Sequence, residues 1–113
     1  MLLTREFIFH AAHHLTGDVK EPLHGHSYRL QVTVEGTQDK DGIIIDFNDL
    51  KDIVKEKVTS KLNHNDLNKF IEQPTAENIT LWIWNQLKDE KRYNLYEVKL
   101  WETRENIIVY RGK

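Results

Sequence analysis

The chain has 113 residues, 39% of them hydrophobic and 30% charged, with a formal net charge of −2, the profile of one ordinary water-soluble domain. A chain of this length buries roughly two-thirds of its unfolded surface, enough for a core without staples. Acidic and basic residues are interspersed without a basic stripe, which argues against nucleic acid as partner; the lack of cysteine excludes disulfides, thiolate metal sites and thiol nucleophiles together. No stretch approaches the ~18 apolar residues of a membrane span. The start, MLLTREFIF, carries an acid and a base where a signal peptide has its apolar run. The expectation is a single cytoplasmic domain over residues 1–113, with no membrane partner.

In chain order, residues 2–15 read as a strand, with Ile8, His10, Ala12 and His14 on one face and Phe7, Phe9, Ala11 and His13 on the other. Residues 16–23, TGDVKEPL, have loop punctuation. From Ser27 to Gly36 the alternation is clean: Tyr28, Leu30, Val32 and Val34 share a face opposite Arg29, Gln31, Thr33 and Glu35, the pattern of a half-buried antiparallel strand. TQDKDG is a turn, and Ile43 to Ile45 resume an extended run.

The period then becomes helical at Phe47, Leu50, Val54, Val58 and Leu62, widened by Ile53, with Asp46 or Asn48 available as cap. Residues 63–74 form a polar loop. A second helix is predicted over about 75–90, with Thr75 as N-cap, Glu77 complementing the dipole and Ile79, Ile83 and Leu87 as its stripe. Extended runs at about 95–103 and 106–111 close the chain around a turn near Arg104-Glu105-Asn106. The order β-β-α-α-β-β predicts an α+β fold, a four-stranded antiparallel sheet with two helices on one face. The other face is left for Trp82, Trp84 and Trp101 to seal in part, or for a partner subunit to cover.

All six histidines fall within the first 64 residues. In His24-Gly25-His26, a strand period of two puts both imidazoles on one face, and a hairpin brings His13 or His14 beside them. Three neutral imidazoles on neighbouring strands suit Zn²⁺ and leave a position open for water or substrate, although a His-x-His pair in a strand is, on its own, more often a surface or hydrogen-bonded pair than a metal site. His10 and His14 read as structural.

The segments FHAAHHL, EPLHGHSY, GIIIDF, LNHNDLN, PTAEN and WETRENIIVYRG, in this order and spacing, closely resemble the 6-pyruvoyl-tetrahydropterin synthase family, which includes the 6-carboxytetrahydropterin synthases of the queuosine pathway. The resemblance covers about residues 5 to 112. It implies the tunnelling fold, Zn²⁺ held by His13, His24 and His26, and a pterin substrate anchored by Glu102, with Thr75 and Glu77 near its pocket. It also implies a homo-hexamer, two stacked trimers whose sheets join into barrels, with active sites between subunits. A carboxylate at Glu102 suits the role, since it accepts two parallel hydrogen bonds from the amino edge of a pterin.

The catalytic positions depart from the family pattern. Lys20 stands where the family carries its cysteine, and Asn63-His64 where it carries Asp-His, so only His64 remains of that triad. A lysine is cationic at neutral pH and is no simple substitute for a thiol. Glu21 resembles the glutamate that some members carry beside or instead of the cysteine; those members cleave the side chain of 7,8-dihydroneopterin triphosphate to 6-hydroxymethyl-7,8-dihydropterin, a folate precursor. The expected mechanism is zinc-assisted side-chain cleavage with Glu21 or His64 moving the proton. The alternatives are 6-carboxy- or 6-pyruvoyl-tetrahydropterin synthesis, and a pterin- or purine-binding protein without turnover.

Overall fold

Two long strands, β1 (Leu2–Leu15) and β2 (Glu21–Glu35), pair antiparallel and organise the protein; the computed structural model describes all residues from 1 to 113. In β1, Phe7, Phe9, Ala11, His13 and Leu15 turn inward while Ile8 and His10 stay exposed, as the pleat requires. In β2, Tyr28, Leu30, Val32 and Val34 are fully buried and Arg29 and Glu35 are exposed. The predicted loop is shorter than expected: residues 16–20 turn, with Gly17 at φ 85°, and Glu21 already belongs to β2. The expected extended run at Ile43–Ile45 joins no strand. Gly42 has φ 83°, and the Asp39 carboxylate accepts from the Ile43 backbone N–H at 3.1 Å, which holds the segment in a turn.

Asp46 caps α1 (Phe47–Val54), accepting from the Asn48 N–H at 2.7 Å. The helix runs on through a π-helical turn (Lys55–Thr59) and a last turn (Ser60–Leu62). The stripe explains the wider turn. Leu50, Val54, Val58 and Leu62 are spaced by four, and in a regular α-helix each such step overshoots a full turn by roughly 40°. A π turn absorbs that drift, and all four side chains reach full burial. Phe47, expected on the stripe, is instead 54% exposed and lines an apolar groove with Leu2 and Ile43.

α2 (Ala76–Leu87) starts at the Thr75 cap, whose hydroxyl accepts from the Asn78 N–H at 3.1 Å, and buries Ile79, Ile83 and Leu87. It stops short of the predicted residue 90. The Tyr93 hydroxyl donates to the Leu87 carbonyl at 2.8 Å, and Glu90 is drawn into ion pairs with Lys57 at 3.1 Å and Arg92 at 2.8 Å.

The sheet gains a strand over the predicted four. β3 (Asn65–Asp66) lies inside the expected polar loop and pairs parallel with Ala11 and Ala12, followed by a 3₁₀ turn (Leu67–Lys69) that buries Leu67. β4 (Asn94–Trp101) and β5 (Ile107–Tyr110) complete the order β3-β1-β2-β4-β5. Trp82 and Trp84 pack on the helix side, Trp84 edge-on to Tyr110 at 5.2 Å, so they do not seal the open face of the sheet. Trp101 alone lies there, with Arg29 at 4.4 Å and Lys99 at 4.7 Å over its ring. The molecule measures 52 × 26 × 25 Å, and no helix is long and apolar enough to cross a membrane.

Candidate active site

The hairpin keeps one register from Leu2↔Glu35 to His13↔His24, then shifts so that Leu15 faces Glu21. Between those pairs β1 takes two steps and β2 three, a β-bulge at Pro22–Leu23, where proline lacks the N–H of a regular ladder. The extra residue reverses the alternation of β2. Strict alternation from His24 would put Glu21 on the outer face; the bulge turns it inward, level with buried Leu15 and on the side of His24 and His26.

His13, fully buried at the end of β1, meets His24 and His26 across the hairpin. Their ligating nitrogens lie within 4.8 Å of one another, with Nε2–Nε2 separations of 3.2 Å for His13–His24 and 3.0 Å for His24–His26. Two backbone carbonyls fix the tautomers. His13 Nδ1–H donates to the Pro74 carbonyl at 2.7 Å, and His24 Nδ1–H donates to the Pro22 carbonyl at 2.7 Å. In the neutral rings both Nε2 atoms therefore carry bare lone pairs facing one another, a contact that is repulsive until a cation stands between them. Tetrahedral zinc with bonds near 2.0–2.1 Å separates its ligand nitrogens by roughly 3.3 Å. The donor set, its anchored tautomers and its spacing fit such an ion.

The electrostatics at His26 favour its neutral form. Burial lowers the His26 pKa below the ordinary imidazole value; the Glu102 carboxylate opposes the shift, His13 and His24 add to it, and Glu21 opposes it. Burial also holds the Tyr28 phenol well above its ordinary range, so it stays protonated 3.5 Å from His13 Nδ1. Tyr28 stacks on Phe9 at 4.9 Å, which stiffens the floor beneath the histidines.

Glu21, Thr75, Glu77 and Glu102 line a single groove of about 520 Å³, bounded also by Leu15, Val19 and Ile108. Glu21 Oε2 stands 4.0 Å from His24 Nε2, which joins the groove to the histidine cluster. Glu102 follows β4 on the inward face and its backbone N–H closes the turn to the Asn106 carbonyl at 3.0 Å, so its carboxylate is carried by a pinned backbone.

His64 lies elsewhere in the chain. It lines a second depression with His10, Gly25, His26 and Ser27, on the side of the β1–β2 hairpin that carries His10 and Ser27. His64 is the one non-glycine residue with positive φ, 61°, held by its N–H bond to the His10 carbonyl and by Asn63, whose side-chain oxygen accepts from the His10 N–H at 2.9 Å. His10 itself bonds Ser27 at 2.8 Å, and His14 bonds Asn68 at 3.3 Å. Lys20 sits exposed in the loop before Glu21. Pro22 and Pro74 carry no signal in the sequence for this role; a carbonyl acceptor is common to every residue, so nothing in their identity marks the ones that orient the imidazoles.

A profile of the family described as 6-pyruvoyl tetrahydropterin synthase matches residues 2–113. The chain is 36% identical over 131 residues to the 6-pyruvoyl tetrahydrobiopterin synthase of Dictyostelium discoideum, covering 100% of this chain and 97% of that protein. It is 40% identical over 99 residues to the dihydroneopterin monophosphate aldolase of Pyrococcus furiosus, covering 86% of this chain and 85% of the relative. Its fold matches the structure of the Caenorhabditis elegans 6-pyruvoyl tetrahydropterin synthase with a TM-score of 0.87 at 27% identity, over 100% of this chain and 96% of that one. With a family profile spanning residues 2–113 and a relative 36% identical over 97% of its own length, this chain belongs to the 6-pyruvoyl tetrahydropterin synthase family.

Proposed function

We propose that the protein is a zinc-dependent lyase that cleaves the side chain of a dihydroneopterin phosphate, with 7,8-dihydroneopterin triphosphate as the reference substrate and 6-hydroxymethyl-7,8-dihydropterin as the pterin product. One observation carries this reading. In a chain without cysteine, the bulge places the Glu21 carboxylate on the histidine side of the hairpin, 4.0 Å from His24 Nε2 and in one groove with Glu102. The 40% identity to a protein named an aldolase supports the same chemistry.

His13, His24 and His26 would hold the ion, which supplies Lewis acidity toward the side-chain hydroxyls when bound. Glu102 orients the pterin through its amino and N3 edge, and Thr75 and Glu77 wall the ring. Glu21 takes the proton from the hydroxyl on the second side-chain carbon. That oxygen becomes an aldehyde as the bond between the first and second carbons breaks. The electron pair flows into the ring C=N bond beside the first carbon, which is then reprotonated. The leaving fragment is a two-carbon aldehyde carrying the phosphate chain.

His64 faces away from its own groove, so in this reading it relays a proton only to the groove of a neighbouring subunit. The free edge of β5, and that of β1 beyond its short pairing with β3 at Ala11 and Ala12, support the hexamer in which subunits meet edge to edge. The test is incubation of zinc-loaded protein with dihydroneopterin triphosphate and mass analysis of the pterins. A 6-hydroxymethyl product supports the proposal; a carboxy or pyruvoyl product, or bound but unconverted pterin, overturns it.

A further inference from the structure

Gln73 has no place in the reading above, yet it is tied to two sides of the groove, the loop that leads to Glu21 and the start of α2. Its side-chain amide brackets one backbone unit of the loop between β1 and β2. Oε1 accepts from the Thr16 N–H at 3.1 Å and from the Thr16 hydroxyl at 3.2 Å, while Nε2 donates to the Thr16 carbonyl at 2.6 Å. Thr16 opens the short loop that ends at Glu21. The Gln73 backbone carbonyl is equally engaged, accepting from the Thr75 N–H at 2.8 Å and from Asn78 Nδ2 at 2.8 Å. The first of these closes a three-residue turn around buried Pro74, whose carbonyl receives the Nδ1–H of His13. The second ties the same turn to the first turn of α2, beside Thr75 and Glu77.

We infer that Gln73 is a positioning residue, which sets the relative placement of the His13 imidazole, the Glu21 loop and the α2 wall through its two-way clamp on Thr16 and the turn at Pro74. Residues 16–20 have no strand or helix partner, and Thr16 is held to the α2 side through Gln73 alone among side chains. Without that clamp residues 16–20 lose their tie to the α2 side, and the end of β2 that carries Glu21 is held by its pairing with Leu15 alone. An amide is required: the site presents two donors and one acceptor on adjacent atoms, and only a group carrying both an acceptor oxygen and a donor nitrogen satisfies all three. The inference rests on the metal and lyase reading for its consequence, but its geometry stands apart from it.

The experiment uses the full chain with Co²⁺ as spectroscopic probe, comparing the native sequence with Gln73→Ala, Gln73→Glu and Thr16→Val. Gln73→Glu keeps both acceptor contacts and turns an acceptor against the Thr16 carbonyl, so it is expected to behave like Gln73→Ala despite its equal size. Thr16→Val loses only the hydroxyl contact and is expected to stay near the native value. For both Gln73 variants, Co²⁺ affinity by chelator competition is expected to fall about 10–100-fold, the range for groups that orient metal ligands. Amide exchange in residues 16–21 accelerates, and kcat drops with little change in KM. Lowered thermal stability with native Co²⁺ affinity, native visible spectrum and native exchange in the loop overturns the inference and leaves Gln73 a structural residue. If the native protein converts no pterin, the lyase reading fails while the Co²⁺ and exchange measurements still decide the role of Gln73.

Discussion

Glu21→Gln is the perturbation that most directly tests the proposed chemistry, because it changes basicity and almost nothing else. The Glu21 side chain is 45% exposed, and its nearest charged contact is the weak 4.0 Å approach to His24 Nε2. An isosteric amide therefore breaks no ion pair of consequence, and stability should stay within about 0.5 kcal/mol. A positioned general base contributes ~10²–10⁴-fold. Water reaches this carboxylate, so solvent replaces part of its function, and the expected fall in kcat lies in the lower half of that range, ~10²–10³-fold. Loss of one nearby negative charge weakens metal binding by no more than about tenfold, or about 1.4 kcal/mol, in a site this open to solvent. The assay measures metal content, pterin affinity and the rate of 6-hydroxymethyl product formation on the same preparation. Unchanged product formation with full metal content would refute the reasoning and reduce Glu21 to a loop residue turned inward by the bulge without consequence.

Glu102→Gln removes a charge-assisted pair of hydrogen bonds to the pterin edge, at about 1.5–3 kcal/mol, so pterin binding should weaken roughly 10–100-fold with a smaller change in kcat; titration with a non-reactive pterin checks it. Metal binding should be level above about pH 7 and fall below pH ~6.5, because the His26 pKa is depressed by burial and protons compete with the ion only under acid conditions. Glu102 opposes that depression, so Glu102→Gln should shift the acid limb of metal binding to lower pH; a shift to higher pH contradicts the assignment. Glu90 has its pKa pulled far below the carboxylate range by hydrogen bonds from Arg92 and then Lys57, so its contribution is present above the unfolded carboxylate pKa and is lost as pH falls toward the folded value. Glu90→Gln should therefore destabilise at neutral pH and flatten the acid limb of a stability-versus-pH curve, a result visible in urea unfolding at stepped pH.

Much of the architecture is legible in local chemistry. Tyr28, Leu30, Val32 and Val34 alternate with polar neighbours and end fully buried, because a pleated strand has no other way to place them. Thr75 and Asp46 cap the helices for which their short oxygen-bearing side chains suit them. His24 and His26 share a face because a single residue separates them. In each case the deciding interaction lies within a few residues along the chain, so the residue types and their spacing are enough.

Long-range contacts settle the remainder. Alternation counted back from His24 assigns Glu21 to the wrong face, and the shift that corrects it appears only when β1 is laid against β2 and Leu15 meets Glu21. The two-residue strand at Asn65–Asp66 has no signal of its own and exists because Ala11 and Ala12 offer it a free edge. The four-residue spacing in α1 is written in the chain, but whether the helix twists away or opens a π turn depends on a sheet demanding all four side chains at once. His64 carries the same residue type as the metal ligands, yet its left-handed backbone and its bond to His10 send it to the side that carries His10 and Ser27. Residue identity states which chemistry is available; register, bulge and backbone conformation, each fixed by partners distant in the chain, state which of those groups meet.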